Sequence, residues 1–273
     1  MKNVLKSYKP YSMKRVMGIL IFFLLYGCAS AFTPTSIPLA SFSDGCQVPG
    51  EVISAELVKT ARGYPYSYRV YLPPCFSAEI EAQYPVLYLV PGRGGSPDSW
   101  LQAGLTEELD RLILAREVPP LIIVSTENTD SDPQAEAIYK DLIPFIESQY
   151  PIANDRRYRA VAGGSLGGIA SYRLAFQYPE EFSSTGIFGA GAISGEEKQI
   201  ISWLSSMTKS NGTRVFMDTG DEDLFMLERA RVMKSILDEA GIENQLHVGH
   251  GGHTYTYWVS NFEMYLKWMT KDW

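Results

Sequence analysis

Short apolar strands alternate with amphipathic helices along most of this chain, and that alternation limits its possible folds more than any other feature. Continuous apolar runs at 86–90 and 121–124 are typical of strands buried on both faces. Between these two runs, apolar residues recur on one helical face, at Leu105, Leu109, Leu112 and Ile113. Strands separated by helices predict an α/β fold with a mostly parallel central sheet and helices on both faces.

The rest of the chain continues this order of elements. The sequence predicts further helices at 135–150, 169–178, 228–240 and 257–269, and further strands at 159–162, 185–190, 215–217 and 245–248. Two earlier strand-like runs, 52–58 and 66–72, flank a turn-like segment and predict an antiparallel hairpin. No connection between predicted elements is long enough for a cap domain. We therefore expect one folded domain over residues 49–273.

Residues 1–27 differ in composition from the rest of the chain. Basic side chains precede an apolar run at 16–26, which is too short to cross a bilayer and is typical of a secretory signal peptide. The run ends in Leu-Tyr-Gly ahead of Cys28, which resembles a bacterial lipobox with Cys28 as the lipidated residue. Residues 28–48 would then be a flexible tether. The expected location is the cell surface or periplasm as a lipoprotein, with full secretion after cleavage near residues 29–31 as the alternative.

Cysteine usage agrees with export. Besides Cys28, the chain has two cysteines, Cys46 and Cys75, which flank the predicted hairpin. Opposed residues in a hairpin have a nearly constant sum of residue numbers, here about 124–126, so the two thiols should lie close together. We predict a disulfide, with two free buried thiols as the alternative.

The formal net charge of −7 disfavours nucleic-acid or anionic-membrane binding, so membrane association would come only from the lipid.

A glycine-rich turn connects the predicted strand at 159–162 with the helix at 169–178. Its sequence is Gly-Gly-Ser-Leu-Gly-Gly, with Ser165 in third place. Glycines on both sides of the serine let backbone segments approach closely where a strand turns sharply into a helix. A G-x-S-x-G turn in this context presents a serine hydroxyl for attack on an acyl carbon, so Ser165 is the predicted nucleophile.

A serine nucleophile needs a base to take its proton, and the base needs an acid to orient it. The three histidines, His247, His250 and His253, all lie in or after the last predicted strand. In chains with this serine turn the base lies in the loop after the final strand. His253, which follows two glycines in that loop, is therefore the predicted base, with His250 as the alternative. His247 is expected to be structural.

The acid should lie between the serine and the histidine in the sequence, and four acidic residues crowd the loop 218–223. Asp223 is favoured because it follows a tight turn at Gly220 and precedes a helix, and Asp218 is the alternative. The H-x-x-H-x-x-H spacing also raises the hypothesis of a metal site. A glycine-rich loop does not place three ligands on one face, however, so no metal and no other cofactor is predicted.

A second glycine-rich loop, 91–96, is expected to complete the oxyanion hole. Stabilising a tetrahedral intermediate takes two backbone N–H donors. These are predicted to be Leu166 and Arg93, with Gly92 as the alternative to Arg93. The loop lacks the motif of a nucleotide-binding loop, so nucleotide binding is not expected. Three aromatic residues near the expected site are candidates for substrate contacts, with core packing as the alternative for each: Trp100, Tyr255 and Trp258.

Together these stretches resemble one known family. The stretch 86–100, the helix at 141–146, the serine turn, Gly-Asp-Glu-Asp at 220–223 and Gly-Gly-His-Thr at 251–254 are similar to the esterase family of α/β-hydrolases. That family includes esterase D, feruloyl esterases, enterochelin esterases and the antigen 85 mycolyltransferases. The resemblance implies the α/β-hydrolase fold and a triad of Ser165, Asp223 and His253. One departure is that Pro-Gly replaces the usual His-Gly before the oxyanion loop.

The expected function is that of an exported serine carboxylic-ester hydrolase, which forms an acyl-enzyme and hydrolyses it. Its substrates would be esters, possible classes being carbohydrate-linked and aromatic, feruloyl-type esters. Acyl transfer to a sugar or lipid acceptor by the same triad is one alternative. A catalytically inactive surface binding protein with a hydrolase fold is another.

Overall fold

The computed structural model describes residues 38–42, 45–58, 60, 65–78, 82–128, 134–207 and 212–273. In this part of the chain, eight strands form one sheet: β1 Glu51–Leu57, β2 Tyr66–Leu72, β3 Val86–Val90, β4 Ile122–Thr126, β5 Arg159–Gly164, β6 Ser184–Phe188, β7 Arg214–Gly220 and β8 Asn244–Gly249. Their spatial order is β1-β2-β4-β3-β5-β6-β7-β8. Strand β2 pairs antiparallel with β1 and β4, and every other neighbouring pair is parallel. The predicted mostly parallel sheet with an N-terminal antiparallel hairpin is confirmed.

Strand β3 shows why the central strands have continuous apolar sequences. All five of its residues are buried. Val86, Tyr88 and Val90 belong to the core on one face of the sheet, whereas Leu87 and Leu89 belong to the core on the other. Because successive side chains of a strand point to opposite faces, a strand covered on both sides needs an apolar residue at every position.

Helices cover both faces of the sheet. They are α1 Leu105–Leu114, α2 Gln134–Ala137, α3 Ile143–Gln149, α4 Leu166–Gln177, α5 Glu197–Ser205, α6 Leu224–Glu239, α7 Tyr255–Ser260 and α8 Phe262–Met269. A π-helical segment, Ile138–Leu142, joins α2 to α3, so the helix predicted at 135–150 is continuous but irregular. Helix α1 buries the four apolar residues that predicted it. Two short 3-10 helices, Leu101–Ala103 and Arg156–Tyr158, lie in the connections, and the described elements include no cap domain.

Two helices differ from the sequence-based expectation. The helix predicted at 257–269 is divided at Asn261, whose side-chain amide donates to the Tyr257 carbonyl (2.9 Å) and so takes an acceptor from the helical ladder. Helix α5 was not predicted. It buries only Ile200 and Leu204, which is too weak a periodic pattern to distinguish it from a loop.

The hairpin and the disulfide have the predicted arrangement with a small difference in register. The paired residues of β1 and β2, such as Glu51 and Leu72, have residue numbers that sum to 123. Cys46 and Cys75 form a disulfide with their Cα atoms 6.0 Å apart, which confirms the predicted pairing.

The predicted signal peptide and Cys28 lie outside the described residues. Within the segment predicted as a tether, Ala40 N–H donates to the Gln83 carbonyl (2.8 Å), and Gln83 N–H donates to Pro38 (3.1 Å). Residues 38–40 therefore contact the domain. Among the described helices, none is both long enough and apolar enough to cross a membrane.

Candidate active site

Ser165 lies at the sharp turn between β5 and α4. Its backbone has φ 55° and ψ −121°, a conformation that non-glycine residues rarely adopt and that tends to occur at functional sites. A Cβ on Gly163 would lie 2.5 Å from the Gly167 carbonyl carbon, and a Cβ on Gly167 would overlap the Val90 carbonyl. These contacts explain why glycines flank the serine. The Ser165 N–H donates to the Phe188 carbonyl at the end of β6 (2.8 Å).

Asp223 and His253 meet at the same edge of the sheet. Asp223 is the N-cap of α6, where its Oδ1 accepts from the Met226 N–H (3.4 Å). Its Oδ2 lies 2.5 Å from His253 Nδ1. The histidine side chain is 36% exposed and that of the aspartate 14%. This pairing leaves Nε2 as the imidazole nitrogen that can exchange a proton with a nucleophile or a leaving group.

Residues 188–189 contact both Ser165 and His253 and so bring the two together. Phe188 accepts the hydrogen bond from Ser165, and the next residue, Gly189, lies against the imidazole: a Cβ there would be 3.0 Å from His253 Nδ1. Trp258 contacts His253 and also Gly164, the residue before Ser165. Its ring meets the imidazole edge-on, with centroids 5.1 Å apart, and a Cβ on Gly164 would lie 2.6 Å from it.

The other two histidines bind other aspartates. His247 Nδ1 lies 2.7 Å from Oδ1 of the fully buried Asp218, directly across the β7–β8 ladder. His250 Nδ1 lies 3.2 Å from Asp221 Oδ1, and both side chains are exposed. The alternative acid Asp218 and the alternative base His250 therefore both have partners other than the predicted base His253.

Among the described residues, one group of three side chains could bind a cation: Asp221, Glu222 and His250. Ligand atoms of Asp221, Glu222 and His250 all lie within 4.8 Å of one another. The Gly251 N–H and the His250 imidazole lower the pKa of Asp221, whereas Asp221 raises the pKa of His250. The three histidines of the H-x-x-H-x-x-H sequence each bond a different aspartate, so that spacing alone does not form a ligand set.

The loop 91–96 passes beside Ser165. A Cβ on Gly92 would lie 3.3 Å from Ser165 Cβ. The Gly92 N–H donates to the Tyr255 hydroxyl (2.7 Å), so the alternative oxyanion donor is already engaged. Leu166 N–H opens helix α4, where the first amides have no partner within the helix. The assignments of Leu166 and Arg93 as the two donors remain predictions.

Of the three aromatic candidates for substrate contacts, two are in the core. Trp100 is fully buried and Trp258 is 2% exposed, with ring centroids 5.8 Å apart. Their burial favours the packing alternative. Tyr255 is half-buried, and its hydroxyl binds the loop 91–96 through the contact with Gly92.

Asn128 was not among the predicted site residues, although it holds the loop 91–96 in place. Its side-chain amide donates to the Pro91 carbonyl (2.8 Å), and its backbone N–H donates to Gly95 (3.1 Å). Its position just after β4, at the same sheet edge as the serine turn, was the one available signal.

Comparison with known proteins identifies the family. The family model described as "Putative esterase" matches residues 60–269, which is most of the chain. The chain belongs to this family. The predicted resemblance and the predicted α/β-hydrolase fold are both confirmed, and membership supports the prediction of a carboxylic-ester hydrolase.

Individual relatives of this esterase family member are distant. An uncharacterised protein of Corynebacterium glutamicum is 26% identical over 199 residues, covering 68% of this chain and 42% of the relative. An endo-1,4-beta-xylanase/feruloyl esterase of Xylanibacter ruminicola is 31% identical over 146 residues, covering 47% of this chain and 20% of the relative. The chain thus spans less than half the length of these relatives. A solved ferulic acid esterase superposes with a TM-score of 0.72 at 24% identity, covering 82% of this chain and 99% of that one, which shows a shared fold.

Proposed function

We propose that this chain is a serine carboxylic-ester hydrolase in which Ser165, His253 and Asp223 form the triad. The observation that carries the proposal is the 2.5 Å contact between His253 Nδ1 and Asp223 Oδ2. This contact lies beside residues 188–189, which also bind the strained Ser165 turn. A carboxylate on Nδ1 fixes the tautomer whose Nε2 can accept the serine proton. Family membership supports ester hydrolysis as the reaction.

In this mechanism the Ser165 hydroxyl attacks the acyl carbon as its proton passes to His253 Nε2. Asp223 stabilises the imidazolium that results. The N–H groups of Leu166 and Arg93 would donate to the oxyanion. The imidazolium then protonates the departing alcohol, which leaves an acyl group on Ser165. Water deprotonated by His253 releases the acid and restores the serine.

Replacing Ser165 by alanine tests the proposal. Hydrolysis of p-nitrophenyl acetate by the purified domain should fall by about 10⁴-fold or more. A fluorophosphonate probe should label the native protein at Ser165 and should not label the variant. Ser202→Ala, on the exposed face of α5, is the matched control and should keep full activity. Unchanged hydrolysis in Ser165→Ala would exclude this serine as the nucleophile.

For the substrate, we propose an ester with an aromatic or otherwise apolar acyl group. Leu224 and Phe225 directly follow the proposed acid Asp223, yet their side chains are 72% and 66% exposed. Exposed apolar residues beside a reacting centre offer a surface on which an apolar group can lose its hydration. The feruloyl esterase name of one relative supports the same class.

An ester series with matched alcohols tests the acyl preference. Methyl ferulate and methyl cinnamate should be cleaved with higher kcat/KM than methyl acetate, and Phe225→Ser should reduce that preference. Ile201→Ser, which removes an exposed apolar residue on α5, is the control and should leave the preference unchanged. Equal preference in both variants and the native protein would reject this surface as the acyl site.

We also propose that the protein is exported and lipidated at Cys28. The basic and apolar segment 1–27 and the lipobox-like sequence support export, and the Cys46–Cys75 disulfide is typical of an oxidising compartment. Mass spectrometry of the processed protein should find a diacylglyceryl group on Cys28, and globomycin should block processing. A processed form that begins at residues 29–31 without lipid would favour plain secretion.

A further inference from the structure

Tyr257 packs against the segment 249–254, which starts at the last residue of β8 and is called here the histidine loop because it carries the proposed base. Its hydroxyl donates to Asp218 Oδ1 (3.0 Å) and accepts a hydrogen bond from the Gly249 N–H (3.1 Å). Its ring packs against the middle of the loop, because a Cβ on Gly251 would lie 2.5 Å from ring atom Cδ2. One side chain thus supports the histidine loop at its first residue and at its centre.

The histidine loop is also held at its other side and at its end. Two backbone hydrogen bonds, of 2.8 and 3.0 Å, join it to the turn that follows β7. Thr254 caps helix α7 by accepting from the Tyr257 N–H (3.2 Å). The residue after His253 is therefore the N-cap of the helix that carries Tyr257, so the tyrosine and the imidazole are linked through a short, capped segment.

Asp218 is the fixed point to which Tyr257 connects the loop. This carboxylate is fully buried and accepts hydrogen bonds from His247, Tyr257 and Tyr265. A buried carboxylate is tolerable only when such donors surround it. Burial, and then the charge of Asp218, raises the pKa of Tyr257, so its hydroxyl stays protonated and remains a donor.

Tyr265 offers a natural comparison. Its hydroxyl donates to the other oxygen of the same carboxylate, Asp218 Oδ2, and its ring stacks on Phe188 with centroids 4.1 Å apart. The described hydrogen bonds include none from Tyr265 to the histidine loop. The two tyrosines therefore contribute alike to the buried carboxylate, but only Tyr257 connects it to the loop.

We propose that Tyr257 is a positioning residue, whose hydroxyl ties Gly249 to Asp218 and thereby fixes the His253 imidazole relative to Ser165. The role depends on the proposed triad, although the tyrosine itself touches no reacting atom. A displacement of about 1 Å at a catalytic group can lower a rate by about 100-fold, so loss of this single hydroxyl should reduce turnover.

Tyr257→Phe and Tyr265→Phe form the matched pair that tests this role. Each variant removes one donor from Asp218 and keeps its ring, so both should lower the melting temperature. Tyr257→Phe should lower kcat by about 10- to 100-fold with little change in KM, whereas Tyr265→Phe should keep kcat within about twofold. Amide hydrogen exchange under native conditions should become faster at Gly249 and Gly251 in Tyr257→Phe alone.

The outcomes separate this role from the proposed function. Equal losses of kcat in the two variants, or native kcat in Tyr257→Phe, would overturn the positioning role while the Ser165→Ala result still upheld the triad. If Ser165→Ala kept activity, the triad would fail. The exchange measurement would then still decide whether Tyr257 fixes the loop, since unchanged exchange in Tyr257→Phe would reject that as well.

Discussion

Two aspartate–histidine pairs at the β7–β8 edge share their chemistry and differ in their surroundings. In one, His253 Nδ1 meets Asp223 at a loop and a helix N-terminus, and both side chains keep some exposure. In the other, His247 Nδ1 meets Asp218 within paired strands, where the carboxylate is fully buried. The partners are 30 and 29 residues apart in sequence, so spacing does not distinguish the two pairs.

The difference lies in what else each carboxylate binds. Asp218 also accepts from two tyrosine hydroxyls on α7 and α8, which fits a role in holding elements together. Asp223 also accepts from one amide of its own helix, and its histidine lies against Gly189 beside the serine turn. We infer that the outer pair, His253 and Asp223, serves the reaction, and that the inner pair, His247 and Asp218, stabilises the fold.

Alanine at His253 and at His250 should give the largest contrast in activity. His253→Ala should lower ester hydrolysis by about 10⁴-fold or more, because Ser165 would lose its base. His250→Ala should change activity little, since that side chain is exposed and paired with Asp221. Steady-state kinetics of the two purified variants measure this contrast. Similar losses in both would contradict the assignment of His253 as the base.

Asparagine at the two aspartates should separate architecture from reaction. Asp218→Asn should lower the free energy of unfolding by about 3 kcal/mol, because the amide cannot accept from all three donors and leaves buried groups unsatisfied. Asp223→Asn should change stability much less and lower kcat by about 10²- to 10⁴-fold. Denaturant unfolding combined with kinetics gives both quantities. A stable Asp218→Asn protein would show that the inner pair is not structural.

The exposed His250–Asp221 pair should give the smallest effect, and one that depends on pH. Because Asp221 raises the pKa of His250, the protonated histidine stabilises the folded state. This contribution is present below about pH 6.5 and is lost as the pH rises through the pKa of His250 in the folded protein. Because the Gly251 N–H and His250 lower the pKa of Asp221, its contribution is present above about pH 4 and is lost as pH falls through the folded pKa.

The melting temperature of His250→Gln should therefore lie slightly below that of the native protein near about pH 5 and equal it above about pH 8. The difference should be small, because water and salt screen exposed charges. A difference that grew as the pH rose would have the wrong sign for this pair.

The layered fold could be predicted from the sequence because a strand buried on both faces needs a run of consecutive apolar residues. The apolar runs of β3 and β4 and the buried face of α1 were each legible from a few consecutive residues. Elements with weak periodicity were lost or merged. Helix α5 buries two residues only, and the division at Asn261 depends on one side-chain hydrogen bond.

The sequence alone predicted the disulfide of the hairpin, and it supplied the candidate residue types of the site and their order along the chain. Glycine spacing around Ser165 is a local steric requirement, and a terminal cluster of histidines leaves few candidates for a base. Which aspartate each histidine binds was decided only by tertiary structure, since hydrogen bonds about 30 residues apart depend on the β7–β8 register and on the turn that folds back over it. The same holds for Trp100 and Tyr255. The sequence placed both near the serine, and packing put Trp100 in the core and the Tyr255 hydroxyl against loop 91–96.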